Sequence, residues 1–268
     1  MKYLRQTTLL KDRIVWSVEL ENSFSYNKSL LLSKVSEAIL PNTKQNHIGE
    51  GSTIDEFIIK QPGVKFIING GYNHYRKNFY DWQHNNFNVG DPVGIVKIRE
   101  HFFQDLDSAD INDFGFFIQN KKHDSWQIVK HESLSKNEKY ILGCNPLLIF
   151  NKEAISLPIE KMKPIPHNQI NPPSKLSHGL QNHPRTAVGI KNHKIIFIIV
   201  EGYDNTGGCS LLELQKIGMK LELDSFLNLD GGGSSQFRIK ENNTWISNNV
   251  DKEDKNRILG NVIVLFEN

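Results

Sequence analysis

The apolar positions of this chain fall mostly in short runs bounded by polar or turn-forming residues, which is the spacing of strands rather than of helices. Arg13–Leu20 is β-branched and aromatic and predicts a strand. Val64–Ile68 predicts a better one and runs directly into Asn69-Gly70-Gly71. Strands are further expected over 93–98, opened by Asp91-Pro92, and over 114–118, 125–130 and 146–150. Thr186–Ile190 and Ile195–Val200 predict a hairpin that turns at Lys191–Lys194. The second of these is apolar throughout, which places it inside a sheet with both faces covered. Phe226–Leu229, Gln236–Ile239 and Ile258–Phe266 complete the set. Helical spacing occurs at 28–40, where Leu31, Leu32, Val35, Ala38 and Ile39 share a side and Pro41 ends the segment, and more clearly at 210–221. Phe57–Ile59 is a short apolar run. Residues 72–91 are polar and Asn-rich and predict an irregular loop. Residues 158–184 hold six of the ten prolines, which excludes regular helix or central strand and predicts a long connection. The fold class expected is α+β: a single domain over 1–268 of mixed, mainly antiparallel β-sheet with one or two packed helices.

Composition changes this picture little. The 268 residues are 38% hydrophobic and include fifteen Phe, seven Tyr and four Trp, enough for a sizeable core. A net charge of +2 gives no reason to expect a nucleic-acid partner, which usually meets a clustered basic face. Cys144 and Cys209 are too few for a disulfide scaffold and lack metal-ligand spacing. Their simplest reading is two free thiols in a reducing compartment, with a single disulfide between them left open. Leu9-Leu10 is followed at once by Lys11-Asp12-Arg13, so neither a secretory h-region nor a membrane span is expected. The expectation is a cytoplasmic chain with no membrane partner, unless a leader was trimmed or a non-classical export route is used. The ten histidines show no zinc spacing, so no metal and no cofactor are expected. Oligomeric state is not legible.

Four elements carry candidate chemistry. Asp230-Gly231-Gly232-Gly233-Ser234-Ser235 follows a strand. Its glycine amides could form an anion-binding nest, its serines add hydroxyl donors, and Asp230 stands at the strand-to-loop junction. A tight turn in which Asp230 bonds its own loop would use the same residues. No Lys follows the glycines and the G-x-G-x-x-G spacing is absent, which excludes a Walker or dinucleotide loop. Asn69-Gly70-Gly71-Tyr72 also follows a strand, and the twenty residues after it do not return as a hairpin partner. Arg185, in His183-Pro184-Arg185-Thr186, offers a planar donor fork suited to two phosphate oxygens, with His178 and His183 flanking it. A surface salt bridge is the commoner fate of such an Arg. Glu201 ends the apolar strand and could act as acid or base. Glu213 could do the same, although Ser210 and Glu213 also have capping-box spacing.

Taken in order, these elements resemble the phosphodiester glycosidases, the family of the enzyme that uncovers mannose 6-phosphate by removing a covering N-acetylglucosamine. The residues that carry the resemblance are Asn69-Gly70-Gly71-Tyr72, Gly90-Asp91-Pro92-Val93-Gly94, Asn145–Ile149, Arg185-Thr186-Ala187-Val188-Gly189, Gly208–Leu214 and Asn228–Ser235. They span about 64–266, leaving 1–63 as an N-terminal extension packed on the family-like core. Two departures stand out: the family's D-G-R is Glu201-Gly202-Tyr203 here, and Asn73 replaces an aromatic. The resemblance implies cleavage of the anomeric C–O bond of a sugar-1-phosphodiester or nucleotide-sugar substrate. It implies catalytic roles for Asp230, Glu201 and Glu213. It implies phosphate binding by Arg185, Gly231, Gly232, Gly233, Ser234 and Ser235. Substrate contacts would come from Asn69, Gly70, Gly71, Tyr72, His178 and His183. The alternatives are an intracellular ADP-ribose-like or nucleotide glycosidase, a phosphoesterase cutting the P–O bond, and a non-catalytic binder of phosphorylated sugars or nucleotides.

Overall fold

The apolar run at 195–200 forms the strand Lys194–Val200, and its side chains alternate between two cores. Phe197 and Ile199 enter one cluster, while Ile196, Ile198 and Val200 enter another. That alternation is why the run is apolar at every position. The computed structural model describes residues 1–6, 9–10, 13–20, 30–32, 52–73, 92–98, 101–105, 113–120, 125–135, 137–163, 176, 178–202, 207–248 and 254–266.

Among the described residues seventeen strands form three sheets, and every pairing among them is antiparallel. The first sheet runs in the order β1 (Lys2–Gln6), β2 (Val15–Leu20), β13 (Lys194–Val200), β12 (Arg185–Lys191), β14 (Ser225–Asn228), β10 (Leu147–Phe150) and β11 (Glu153–Ala154). The second is β16 (Thr244–Ser247), β15 (Phe237–Glu241), β4 (Val64–Asn69), β17 (Asn261–Phe266) and β3 (Leu30–Leu32). The third is β6 (His101–Asp105), β5 (Gly94–Ile98), β9 (Glu138–Cys144), β7 (Gly115–Asn120) and β8 (Trp126–Lys130).

One core joins the three sheets. Phe197 of the first lies with its ring centroid 5.4 Å from Phe66 of the second and 6.4 Å from Phe117 of the third. Trp16 meets Phe237 edge-on at 5.2 Å. Burying side chains of this size is worth about 1.5–3 kcal/mol each. Helix α2 (Leu211–Lys220) covers the opposite face of the first sheet with Leu211, Leu214 and Ile217. Helix α1 (Ile54–Lys60) sets Ile54 and Phe57 on the far face of the second sheet. The chain is thus α+β, with the first two sheets back to back and one helix outside each.

The hairpin at 185–200 forms as its pattern indicates, with Asn192 and His193 taking positive φ at the turn. The helix expected at 28–40 does not form at its start. Leu30–Leu32 instead pairs with Asn261–Ile263 of β17, because an available sheet edge outweighs a local helical spacing. Residues 33–40 lie outside the described residues, as do 74–91 and 164–175. Phe57–Ile59 belongs to α1, opened by a capping box in which Thr53 Oγ1 accepts from Glu56 N and Glu56 Oε2 accepts from Thr53 N. Residues before 64 also enter the sheets themselves: β2 lies inside the first, between β1 and β13.

Candidate active site

The segment 229–236 leaves β14 in the first sheet and enters β15 in the second, so the glycine loop bridges the two. Its backbone is tied at several points. Leu229 N donates to Thr186 O at 2.9 Å and Asp230 N to Gly70 O at 3.1 Å. Asn69 Nδ2 donates to Asp230 O at 2.8 Å, while Asn69 Oδ1 accepts from Thr186 Oγ1 at 2.8 Å and from Gln236 N at 3.2 Å. Asn69 is therefore a buried clamp between β4, β12 and the loop.

Gly70 and Gly71 extend that clamp. Gly71 N donates to Asn261 Oδ1 at 2.8 Å, and a Cβ added at Gly70 would stand 2.0 Å from the same oxygen. The close approach of β17 thus explains the glycine. None of Asn69, Gly70 or Gly71 lines the cavity beside the loop; the structure gives them positioning work where sequence suggested substrate contact.

That cavity has a volume of about 310 Å³. Its walls bring together Asp230, Gly231, Gly232, Gly233 and Ser234 from the loop, Tyr72 and Asn73 from the end of β4, His178, His183 and Arg185 from the approach to β12, and Arg257. Leu176, Gly179 and Leu211 supply its apolar side. Asp230 is the one carboxylate among these described lining residues. Burial pushes it up to about 6, against hydrogen bonds from Ser234 and from Gly231 N and against the attraction of Arg257. Its Oδ1 accepts from Gly231 N at 2.9 Å.

The glycine triplet is not an open nest. Gly231 N is engaged by Asp230, and Gly232 N donates to Pro184 O at 2.8 Å. Gly233 N alone is not drawn into these bonds. Gly232 adopts φ +59 with open space around it, so backbone conformation rather than crowding requires glycine there. Ser234 faces the cavity. Ser235 is buried behind it, its N–H donating to Gly232 O at 3.0 Å.

Arg185 is buried, and its guanidinium holds main-chain carbonyls. Nε donates to Cys209 O at 3.0 Å, and Nη2 to His178 O at 2.9 Å and Gln181 O at 3.0 Å. Only Nη1 is outside these bonds. His178 Nδ1 and His183 Nε2 lie 2.9 and 3.1 Å from Gln181 Oε1, and the two rings meet edge-on. Burial, with Arg185 and His178 adding to it, lowers His183 to about 4, so it is neutral near pH 7. Tyr72 O–H donates to Asn145 O at 3.0 Å and accepts from Asn228 Nδ2 at 3.0 Å, which fixes its ring in the wall. Burial first, then Cys144 and Asp230, raises its hydroxyl well above the ordinary value.

Two candidate carboxylates do not reach the cavity. Glu201 is buried, and its Oε1 accepts from Trp16 Nε1 at 2.6 Å. Glu213 completes the cap of α2: its Oε2 accepts from Ser210 N at 2.9 Å, and Ser210 Oγ accepts from Glu213 N at 3.2 Å. Tyr203 lies outside the described residues. Both cysteines are buried free thiols, and burial pushes Cys209 up to about 12, which makes it a poor nucleophile. Among the described residues no group of His, Cys, Asp or Glu is arranged to hold a metal, and no helix is long and apolar enough to cross a membrane. Arg257 and Asn261 were not singled out in the sequence. They lie in the last strand region, beyond the glycine loop, without a local motif to mark them.

Comparison with known proteins bears on family and fold. The family model described as phosphodiester glycosidase matches residues 62–266. No curated protein matches the chain. Among solved structures, the zebrafish N-acetylglucosamine-1-phosphodiester alpha-N-acetylglucosaminidase catalytic domain, auto-inhibited by its pro-peptide, aligns over 100% of this chain and 83% of its own, at 16% identity and TM-score 0.64. A putative exported protein from Burkholderia pseudomallei aligns over 94% and 74%, at 11% identity and TM-score 0.55. A hypothetical protein from Synechocystis aligns over 95% and 59%, at 12% identity and TM-score 0.52. At these identities the structural likenesses speak to fold.

Proposed function

The chain belongs to the phosphodiester glycosidase family, and from that premise we propose that it hydrolyses the anomeric C–O bond of a sugar-1-phosphodiester, of the N-acetylglucosamine-1-phosphodiester or nucleotide-sugar type. The observation that carries the reading is the carboxylate of Asp230, the one among the described lining residues, half-buried in a cavity that two arginines also line. Ordinary glycosidases use two carboxylates, one to protonate the leaving oxygen. A phosphate leaving group departs as a stable anion and does not need that acid. One carboxylate is then sufficient, to take the proton of the attacking water or to stabilise the oxocarbenium-like sugar. A value near 6 keeps Asp230 ionised at neutral pH yet basic enough to accept a proton. The ring of Tyr72 and the side chains of His178 and His183 form the wall on which the sugar would rest.

The test is product analysis on a small panel of sugar phosphodiesters, including UDP-N-acetylglucosamine, in ¹⁸O-water. The expected products are free sugar and a phosphate free of ¹⁸O. Sugar 1-phosphate, or label in the phosphate, overturns the reading in favour of P–O cleavage. Thermal protection by these compounds without turnover favours a binder. The acidic limb of kcat/KM should have its midpoint near pH 6, because activity requires the Asp230 carboxylate and is lost as pH falls through that value.

Glu213 gives a contrasting expectation. Glu213→Ala removes half of the α2 capping box and costs on the order of 1 kcal/mol, with kcat unchanged. Abolished turnover at a normal melting temperature would return Glu213 to the chemistry.

A further inference from the structure

We infer that Arg257 is the guanidinium that binds the substrate phosphate, and that Arg185 serves as the frame of the cavity wall. The inference rests on the reading that this cavity takes a phosphodiester, and it changes the expectation from sequence, in which Arg185 was the one cation among the phosphate-binding residues, beside Gly231, Gly232, Gly233, Ser234 and Ser235.

The first ground is how Arg185 is engaged. Three of the five N–H donors of Arg185 are directed to the carbonyls of Cys209, His178 and Gln181. Those bonds fix the backbone around the two cavity histidines and the start of α2. A guanidinium held this way cannot turn its fork to a ligand; only the two N–H groups of Nη1 are left to reach one.

The second ground is where Arg257 comes from. It follows the 3₁₀ turn Asp254–Asn256, which lies against the 3₁₀ turn Gly232–Ser234 of the glycine loop. It precedes β17, whose Asn261 grips Gly71. Arg257 therefore enters from the second sheet, whereas Arg185 opens β12 in the first, and both line the cavity that holds Asp230. Its charge opposes the upward shift of the Asp230 carboxylate, whose cavity it shares.

The third ground is charge balance. As the C1–O bond breaks, both electrons stay on the bridging oxygen, water supplies the new C1–O bond, and one water proton passes to Asp230. The phosphate then changes from a monoanion to a dianion. Asp230 and the phosphodiester carry one negative charge each before the reaction and the phosphate carries both after it, so the site has two negative charges to balance throughout, and a second cation is needed beside Arg185. His183 is neutral near pH 7 and does not supply it. A guanidinium fork suits two phosphate oxygens, and Arg257 is the second arginine among the described lining residues.

Methyl phosphate, a dianion at pH 8, probes the site without requiring turnover. Its affinity is measured for wild type, Arg257→Gln and Arg257→Lys, together with their melting temperatures. The expected result is a loss of tenfold or more on the order set by a charged hydrogen-bonded contact in Arg257→Gln, a smaller loss in Arg257→Lys, and unchanged folding. Should Arg257→Gln fail to fold, phenylglyoxal labelling of the wild-type chain answers the same question: methyl phosphate should protect Arg257. Undiminished methyl phosphate affinity in folded Arg257→Gln, no binding to wild type, or equal labelling of Arg257 with and without methyl phosphate overturns the inference. If Arg257 binds methyl phosphate but no sugar phosphodiester is cleaved, the inference stands and the proposed reaction falls. If wild type cleaves the substrate and folded Arg257→Gln matches it in kcat/KM and in affinity, the reaction stands and the inference falls.

Discussion

Asp230→Asn should reduce hydrolysis by a factor on the order of 10³ and, at pH 8, make the protein more heat-stable than wild type. The first effect follows from removing the one carboxylate among the described cavity residues; a positioned general base contributes about 10²–10⁴ in rate. The second follows from the cost of holding that carboxylate charged. Its value is about 6 in the fold against 3.8 for the unperturbed group, with burial as the main cause. A raised carboxylate contributes stability below its unfolded value and loses it as pH rises through its folded value. Between pH 4 and 6 the folded chain binds the proton more tightly than the unfolded one, and above 6 it must bury the charge. Asparagine removes that cost while its carbonyl oxygen can still accept from Gly231 N and Ser234. The gain is on the order of 2 kcal/mol, or roughly 4–8 °C in Tm for a chain of this size. At pH 4 the gain should vanish. Paired melting curves at pH 4 and pH 8 check this, and a variant less stable than wild type at pH 8 refutes the burial argument.

The strand content of this fold was legible because both faces of the main sheets meet apolar layers. β13 and β17 carry unbroken apolar runs, β4 carries one over Phe66–Ile68 after the exposed Lys65, and α2 carries the helical spacing that packs on β10, β12 and β14. β9 was missed although it is the centre of the third sheet. Its Glu138 and Gly143 interrupt the pattern, and both have local reasons: Glu138 Oε1 accepts from Ser135 N and Oγ, and a Cβ at Gly143 would stand 2.9 Å from Ile95 O. The 28–40 segment was misread at its start because pairing with β17 is long-range and leaves no local trace.

The candidate site was legible at the level of motifs and less so at the level of roles. Strand-end position drew attention to Asp230, Arg185, Asn69 and Glu201 alike. What divides them is the direction of each side chain: Asp230 faces the cavity, Asn69 ties the loop to two strands, and Glu201 turns to Trp16. Direction at a strand end depends on which neighbouring strand supplies a partner, and Trp16 is 185 residues from Glu201. Arg257 had no motif at all and enters the site only through the pairing of β17 with β4.

Arg185→Ala should destabilise the protein as well as inactivate it, contrary to what a purely phosphate-binding residue would do. Truncation removes three charge-assisted hydrogen bonds to main-chain carbonyls. Bonds of this kind are worth about 1.5–3 kcal/mol each when measured singly. The sum is reduced because the carbonyls of exposed His178 and Gln181 regain water, whereas Cys209 is fully buried. Some return also comes from no longer burying a cation, a cost seen in the lowering of the guanidinium by burial. A net loss of about 3 kcal/mol is expected, which lowers Tm by roughly 6–12 °C. The segment 178–183 and the start of α2 should loosen together, because Leu211 N donates to Gly179 O at 2.7 Å and His183 exchanges backbone bonds with Cys209. Amide hydrogen exchange localises the effect: faster exchange at Cys209 and Leu211 is the expected signature. A variant with wild-type Tm and unchanged exchange there, yet without phosphate affinity, would restore Arg185 as the principal phosphate ligand and remove the division of labour between the two arginines.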